Sequence, residues 1–303
     1  MVMVVLVTGL FSQVGQASAA EENRSWVEYT EKIMAKDKES GTLELELQGT
    51  IKLAKNVDVT LKGENRVYQK SLADVRVGAE NVTVRVNHKN EITKIFINGP
   101  TPIESMRVGI MTTGFATVDH DTIVLSSQAG LEIVDKVAEQ SFQIPAGEIV
   151  TFTPSSNEIT VTNASGEVLY TTSNRLYAFT EEGNKIKVEN ITRASGDPSY
   201  RGFFEITTSE AGDKLNLINE VDFEQYLYQV VPSEMPAYFG LQALKAQAVA
   251  ARTYALGDYL SDRFAKDGFF VLDSVMSQVY NNTPENAATT HAVNETAGII
   301  MLG

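Results

Sequence analysis

Apolar and polar residues alternate along the first third of the chain. Leu43, Leu45 and Leu47 are separated by polar residues, which is typical of a strand with one buried face. Similar short strands are predicted at 57–61, 75–77, 82–86 and 92–97, after a short helix at 26–36. This regular spacing predicts a small β-barrel or sandwich at about residues 40–100, within a β-rich domain that covers 20–100.

The remaining chain is predicted to change from strands to helices. Short strands between turn residues run from residues 106–110 to about residue 206, and residues 222–260 have helical periodicity. Asp222 and Gln225 have the spacing of a capping box, and Pro232 is expected to end the first helix. A longer helix is expected to begin near Pro236. We therefore predict an α+β protein whose second helix is buried along one face, with the apolar positions Leu241, Leu244, Ala248, Ala251 and Ala255.

The amino-acid composition argues against several kinds of partner and functional site. The net charge of −14 over 303 residues argues against nucleic acid as a partner, because such proteins usually present a basic face. The chain has no cysteine, which excludes disulfides and thiolate ligands. Its histidines, His88, His120 and His291, are far apart, so we expect three unrelated side chains rather than a zinc site. Carboxylates are the leading candidates for acid–base chemistry, and no metal or other cofactor is expected.

The N-terminus has the features of a signal peptide. An apolar run at residues 1–11, too short to span a bilayer, is followed by Ala17-Ser18-Ala19, which predicts a signal peptide over 1–19 and cleavage before Ala20. No Lys or Arg precedes the run, and a buried N-terminal strand is the alternative. Since no later segment is long and apolar enough to span a membrane, we expect a secreted protein that lies outside the cytoplasmic membrane.

Glu234 lies in the segment Pro232-Ser233-Glu234-Met235-Pro236, between two predicted helices. The prolines restrict the backbone, and the apolar neighbours Val231, Met235 and Tyr238 are expected to desolvate the carboxyl group, as a general acid at neutral pH requires. The alternative is that Glu234 only caps the helix that follows. The residues alone leave both interpretations open.

Residues 221–236 and 243–255 resemble the signature block of the stage II sporulation protein D / LytB amidase-enhancer family. The runs Tyr200-Arg201-Gly202 and Leu217-Ile218-Asn219 upstream, and residues 273–280 and 293–298 downstream, extend this resemblance over about 101–303. It implies a lytic transglycosylase that cleaves peptidoglycan glycan strands between N-acetylmuramic acid and N-acetylglucosamine, together with a wall amidase that removes stem peptides. The family's glutamate corresponds to Glu234. Because the family domain continues past residue 303, we expect it to be C-terminally truncated here.

The resemblance also implies a sugar-binding groove. Lys245, Gln247, Arg252 and Tyr254 match motif positions that could line it, although Arg252 could equally be a structural ion-pair partner. Asp273, Gln278 and Tyr280 could form a polar wall, or else a capped strand edge. Some relatives bind zinc in this segment, but this chain has Val275, Met276 and Ser277 there, so no metal is carried over. The alternative function is a non-catalytic enhancer that binds the wall and stimulates an amidase.

Overall fold

The structure, a computed structural model, describes residues 26–302. Strands and three α-helices make up this part of the chain, so the protein belongs to the mixed α+β class. The predicted signal peptide lies outside the described residues. No helix between residues 26 and 302 is long and apolar enough to cross a membrane.

The first seven strands are β1 Trp26–Thr30, β2 Ile33–Asp37, β3 Thr42–Leu45, β4 Gly49–Lys62, β5 Val67–Lys70, β6 Val82–Asn87 and β7 Glu91–Asn98. They form one sheet in the order β1-β6-β7-β4-β3-β2, with β5 paired to β4. Residues predicted to be helical, 26–36, form two strands instead, because each pairs with a partner further along the chain, β1 with β6 and β2 with β3. The prediction of a strand at 75–77 is also wrong: Val75 and Val77 are buried, but they follow a 3-10 turn.

The rest of the described chain contributes two further sheets and all three α-helices. The strands are β8 Ser105–Gly109, β9 Ile123–Ser126, β10 Leu131–Asp135, β11 Gln140–Ile144, β12 Ile149–Ser155, β13 Glu158–Asn163, β14 Val168–Thr172, β15 Leu176–Phe179, β16 Ile186–Val188, β17 Ser199–Tyr200, β18 Phe203–Thr208, β19 Leu215–Asp222 and β20 Val271–Leu272. The helices are α1 Phe223–Glu234, α2 Leu241–Ser261 and α3 Ala287–Asn294.

These sheets have the orders β11-β10-β15-β18-β19-β8-β20 and β14-β13-β12-β9-β16-β17. Their inward-facing residues and the buried faces of the helices share one core, to which Val108, Phe152 and Leu244 contribute. The first sheet has a core of its own, which includes Leu43 and Ile95. Strand β20 pairs in parallel with β8, and the segment that follows it, from Asp273 onward, bonds to the last residue of α1.

A layer of buried charges joins the first sheet to the second. Arg107, fully buried, donates to Glu205 and Glu220, with 2.6 Å from its Nη1 to each carboxylate. From the first sheet's side, Lys32 donates to Glu220 over 2.7 Å and Glu44 accepts from Arg175 over 2.8 Å. Since a buried charge without a partner is costly, this packing is favoured over arrangements that would bury the same groups unpaired.

Candidate active site around Glu234

Glu234 is the last residue of helix α1. The helix begins as predicted, with the Asp222 side chain accepting a 2.9 Å hydrogen bond from the backbone N–H of Gln225. Pro232, however, does not end the helix but lies inside its last turn. A proline there removes only one backbone donor, and the N–H of Met235 still bonds to the carbonyl of Val231 at 3.0 Å. Glu234 is therefore held in a helical turn rather than in an irregular elbow.

The end of α1 is attached to the segment that follows β20. Oε1 of Glu234 accepts a 2.7 Å hydrogen bond from the backbone N–H of Val279. The neighbouring hydroxyl of Ser233 accepts from the N–H groups of Asn282 and Thr283, both at 3.1 Å, and donates to the carbonyl of Gln229. These bonds fix the position of the Glu234 carboxylate relative to residues 279–283.

The expected desolvation of Glu234 is wrong. Glu234 is exposed, and Tyr238, which was expected to cover it, is itself 84% exposed. Neighbours in sequence do not cover this side chain, because the chain turns away after Met235, the residue that caps the helix. The carboxylate is thus accessible to a large substrate while one of its oxygens is held by a backbone donor.

The second long helix, α2, begins later than predicted. Pro236 has an extended backbone and precedes a 3-10 turn at Ala237–Phe239, and α2 starts only after Gly240. The φ angle of Gly240 is +88°, a conformation that favours glycine, so the break between turn and helix is set at this residue. The predicted apolar face is buried at Leu244, Ala248, Ala251 and Ala255, whereas Leu241 is exposed.

Arg252 is an ion-pair partner rather than a groove residue in this structure. Its side chain is 2% exposed, and its guanidinium makes two bonds to the Glu224 carboxylate, at 2.8 and 2.7 Å. It also donates to the carbonyl of Ile299 at 2.9 Å. Because these donors already bond to protein groups, the geometry supports a structural role for Arg252.

The other α2 candidates are more accessible. Lys245 is half-buried and forms a 2.5 Å ion pair with Glu295. Gln247 is half-buried, and Tyr254, seven residues further along the same face, is 44% exposed. These three side chains can still be reached by a ligand.

Asp273, Gln278 and Tyr280, which were predicted to form a polar wall of the groove, are all buried. Oδ2 of Asp273 accepts from Arg193 at 2.5 Å, and the Tyr280 hydroxyl donates to Asn219 at 2.7 Å. Gln278 accepts from the Tyr226 hydroxyl and donates to the carbonyl of Ala251. These side chains therefore anchor residues 273–280 to the core, and this segment in turn presents the Val279 N–H to Glu234.

Asp258 is a carboxylate that sequence reasoning missed. It lies on the α2 face of Gln247 and Tyr254, eleven and four residues after them, and this helical spacing was the available signal. Its Oδ2 is buried without a hydrogen-bond partner, and burial raises the pKa of this carboxyl. The pKa of Tyr226 is raised mainly by burial and, to a smaller extent, by the negative charges of Asp258 and Glu234. Both carboxylates therefore lie near the same phenol.

The described residues do not form a metal site. Between residues 26 and 302, no three His, Asp or Glu side chains are placed to hold an ion. His120 is buried, with Nε2 2.8 Å from the carbonyl oxygen of Ile110, whereas His88 and His291 are exposed on other elements.

Comparison with known proteins shows what this region is similar to. Residues 211–302 match the family model described as stage II sporulation protein (SpoIID). The chain is 43% identical over 72 residues to the amidase enhancer of Bacillus subtilis, covering 24% of this chain and 9% of that protein. It is 43% identical over 70 residues to stage II sporulation protein D of Bacillus subtilis, covering 22% and 20%, and 39% identical over 67 residues to that of Bacillus amyloliquefaciens, also covering 22% and 20%.

The chain thus spans less than a quarter of the length of these curated relatives. No solved structure matches it significantly. The matched residues, 211–302, include all of α1, α2 and α3, together with Glu234 and the segment that holds it. The part of the chain that contains Glu234 is therefore similar to the stage II sporulation protein (SpoIID) family.

Proposed function

We propose that the protein is a peptidoglycan lytic transglycosylase with Glu234 as its acid and base. One observation carries this proposal: Glu234 is an exposed carboxylate whose Oε1 is fixed by the backbone N–H of Val279, inside the region that matches the family. A substrate as bulky as a glycan strand can reach the carboxylate, and the backbone donor orients it. The bound strand, rather than the neighbouring side chains, would then exclude water from the carboxyl group, as a general acid at neutral pH requires.

The chemistry requires one carboxyl group. Glu234 donates its proton to the glycosidic oxygen as the bond between that oxygen and the muramyl C1 breaks. The resulting carboxylate then accepts the proton of the muramyl 6-hydroxyl while this oxygen bonds to C1, which closes a 1,6-anhydro ring and returns the proton to Glu234. The nucleophile belongs to the substrate. The reaction therefore requires no second carboxylate and consumes no water molecule, in contrast to glycoside hydrolysis.

A non-catalytic role is the second candidate. One relative is named an amidase enhancer, although the matched stretch is 9% of that protein. In this role the domain would bind glycan strands and stimulate an N-acetylmuramoyl-L-alanine amidase without cutting the strands.

Both roles place the protein at the cell wall, in sporulation or wall turnover, and both need export by the proposed signal peptide. N-terminal sequencing of protein from the wall fraction should begin at Ala20, whereas Met1 on all recovered protein would contradict export.

The test that separates the two roles is a product analysis. The full-length protein is incubated with glycan strands from which an amidase has removed the stem peptides, and the soluble products are examined by mass spectrometry. Lytic transglycosylase activity yields fragments with 1,6-anhydro-muramyl ends, which are one water lighter than hydrolytic products. Hydrolytic ends in their place, or intact strands together with a stimulated amidase, would contradict the catalytic role.

A further inference from the structure

An exposed aromatic pair follows Glu234 in the chain. Tyr238 is 84% exposed, the highest value for an aromatic side chain among residues 26–302, and Phe239 is 55% exposed. Their ring centroids are 5.1 Å apart at an interplanar angle of 72°, so the edge of one ring meets the face of the other. Aromatic surface left in water lacks the stabilisation that burial gives, so two adjacent exposed rings point to a binding surface.

The backbone that carries these rings is ordered. In the 3-10 turn Ala237–Phe239, the N–H of Phe239 donates to the carbonyl of Pro236 at 3.1 Å. The carbonyl of Gly240 then accepts the N–H of Leu244 at 3.1 Å, which connects the turn to α2. With Pro236 at one end and Gly240 at the other, the turn presents the rings in a defined geometry, which limits the entropy lost when a ligand binds.

The pair lies close to the candidate catalytic group. Tyr238 is four residues after Glu234, so even a fully extended chain would place its Cα atom no more than about 14 Å away. The rings and the carboxylate thus lie within the span of a single glycan strand. Lys245 and Gln247, which are accessible on the first turns of α2, add polar groups to the same end of the helix.

We infer that Tyr238 and Phe239 form a stacking platform for an uncharged pyranose ring, such as N-acetylglucosamine, next to the ring that reacts at Glu234. This inference rests on the proposed function. A pyranose has one face made of C–H groups, which packs on the electron-rich face of an aromatic ring, while its hydroxyl groups stay in water. Two rings offer far less than the roughly 800 Å² per partner that a stable protein interface needs. An uncharged sugar also suits a chain with a net charge of −14.

The test measures binding separately from turnover. Tyr238→Ala and Phe239→Ala are made in full-length protein that also carries Glu234→Gln, and binding to peptide-stripped glycan strands is measured by cosedimentation. We expect Tyr238→Ala to weaken binding about tenfold, and Tyr238→Phe, which keeps the ring, to change it by less than about twofold. The matched control is Tyr68→Ala, since Tyr68 is 50% exposed on strand β5, in the first sheet. The thermal midpoint should not change in the Tyr238 variants.

The outcomes distinguish this inference from the proposed function. Unchanged glycan binding in both alanine variants overturns the platform. Unchanged glycan binding with a loss of amidase stimulation also overturns it, because the rings would then contact a protein. If Glu234→Gln alone retains full turnover while Tyr238→Ala still weakens binding, the catalytic proposal is wrong and the platform remains.

Discussion

Asp273 and Arg193 form an ion pair inside the protein, with 2.5 Å between Oδ2 and Nη2 and almost no exposure of either side chain. Burial raises the pKa of the Asp273 carboxyl to about 6, and this effect outweighs the opposing influence of Arg193. The folded protein therefore binds this proton more tightly than the unfolded chain does. Because Asp273 begins the segment that holds Glu234, this pair connects the stability of the core to the geometry of the candidate site.

Asp273→Asn tests this relationship through pH. Between the ordinary pKa of 3.8 and about 6, the folded state retains a proton that the unfolded state has lost, so this group lowers stability as the pH rises. Asparagine resembles the protonated acid and does not titrate. In urea unfolding at pH 4, 5, 6 and 7, the free energy of unfolding of the original protein should therefore fall relative to that of the variant. A constant difference across this range would contradict the shift.

Glu205→Gln tests the charged layer between the first two sheets. Glu205 is fully buried; burial opposes its ionisation, but Arg107 and Arg175 hold its pKa at about 2. Removing the charge leaves two buried guanidinium groups with an incomplete partner, so we expect a loss of about 3–5 kcal/mol in the free energy of unfolding. Glu210→Gln is the matched control, because Glu210 pairs with Lys266 at the surface and should contribute less than about 1 kcal/mol. Equal small losses would show that the layer is not coupled to stability.

Arg252→Lys tests the structural assignment of this arginine. A lysine cannot make the two-pronged contact with Glu224 and also reach the carbonyl of Ile299, so we expect a loss of about 1.5–3 kcal/mol in stability. Lys245→Met, which removes the more exposed pair with Glu295, should cost at most about 1 kcal/mol. If Arg252→Lys leaves stability unchanged and weakens glycan binding, Arg252 belongs to the groove after all.

Tyr280→Phe tests whether the segment after β20 supports the site or binds sugar. The variant removes the hydroxyl that donates to Asn219 and leaves a buried acceptor without its partner, which should cost about 1–3 kcal/mol in chemical denaturation. Glycan binding at a temperature well below the unfolding transition should be unaffected, because the side chain is not accessible. A binding defect at unchanged stability would restore Tyr280 to the groove.

The sequence predicted elements whose signal is local. Strands β6 and β7 were visible from alternation, and the start of α1 from the spacing of Asp222 and Gln225. Strand β1 was mistaken for part of a helix because its strand character depends on pairing with β6, about sixty residues away in the chain. Periodicity along a single segment carries no information about such a distant partner.

The sequence likewise predicts some features of the candidate site and not others. The position of Glu234 was found from its motif, but its exposure was not, because the chain turns away from it after the helix. Asp273 and Tyr280 are predicted to line a groove because the family resemblance places them there. Their partners, Arg193 and Asn219, are 80 and 61 residues away in the chain, and only the fold brings them together.

The most direct test of the account is turnover by Glu234→Gln. The amide keeps the shape of the side chain and an oxygen that can accept from the Val279 N–H, but it cannot deliver a proton. Glu210→Gln, at a surface ion pair with Lys266, is the matched control and should behave as the original protein does. Both variants should unfold within about 1 kcal/mol of the original protein, since Glu234 is exposed.

The measurement is the rate at which 1,6-anhydro-muramyl ends appear from peptide-stripped glycan strands, followed by mass spectrometry with full-length protein. We predict that Glu234→Gln lowers this rate by about 10²–10⁴-fold. Binding of the strands should stay within about twofold of that of the original protein. Anhydro-muramyl ends released by Glu234→Gln at the rate of the Glu210→Gln control would contradict the catalytic role of Glu234.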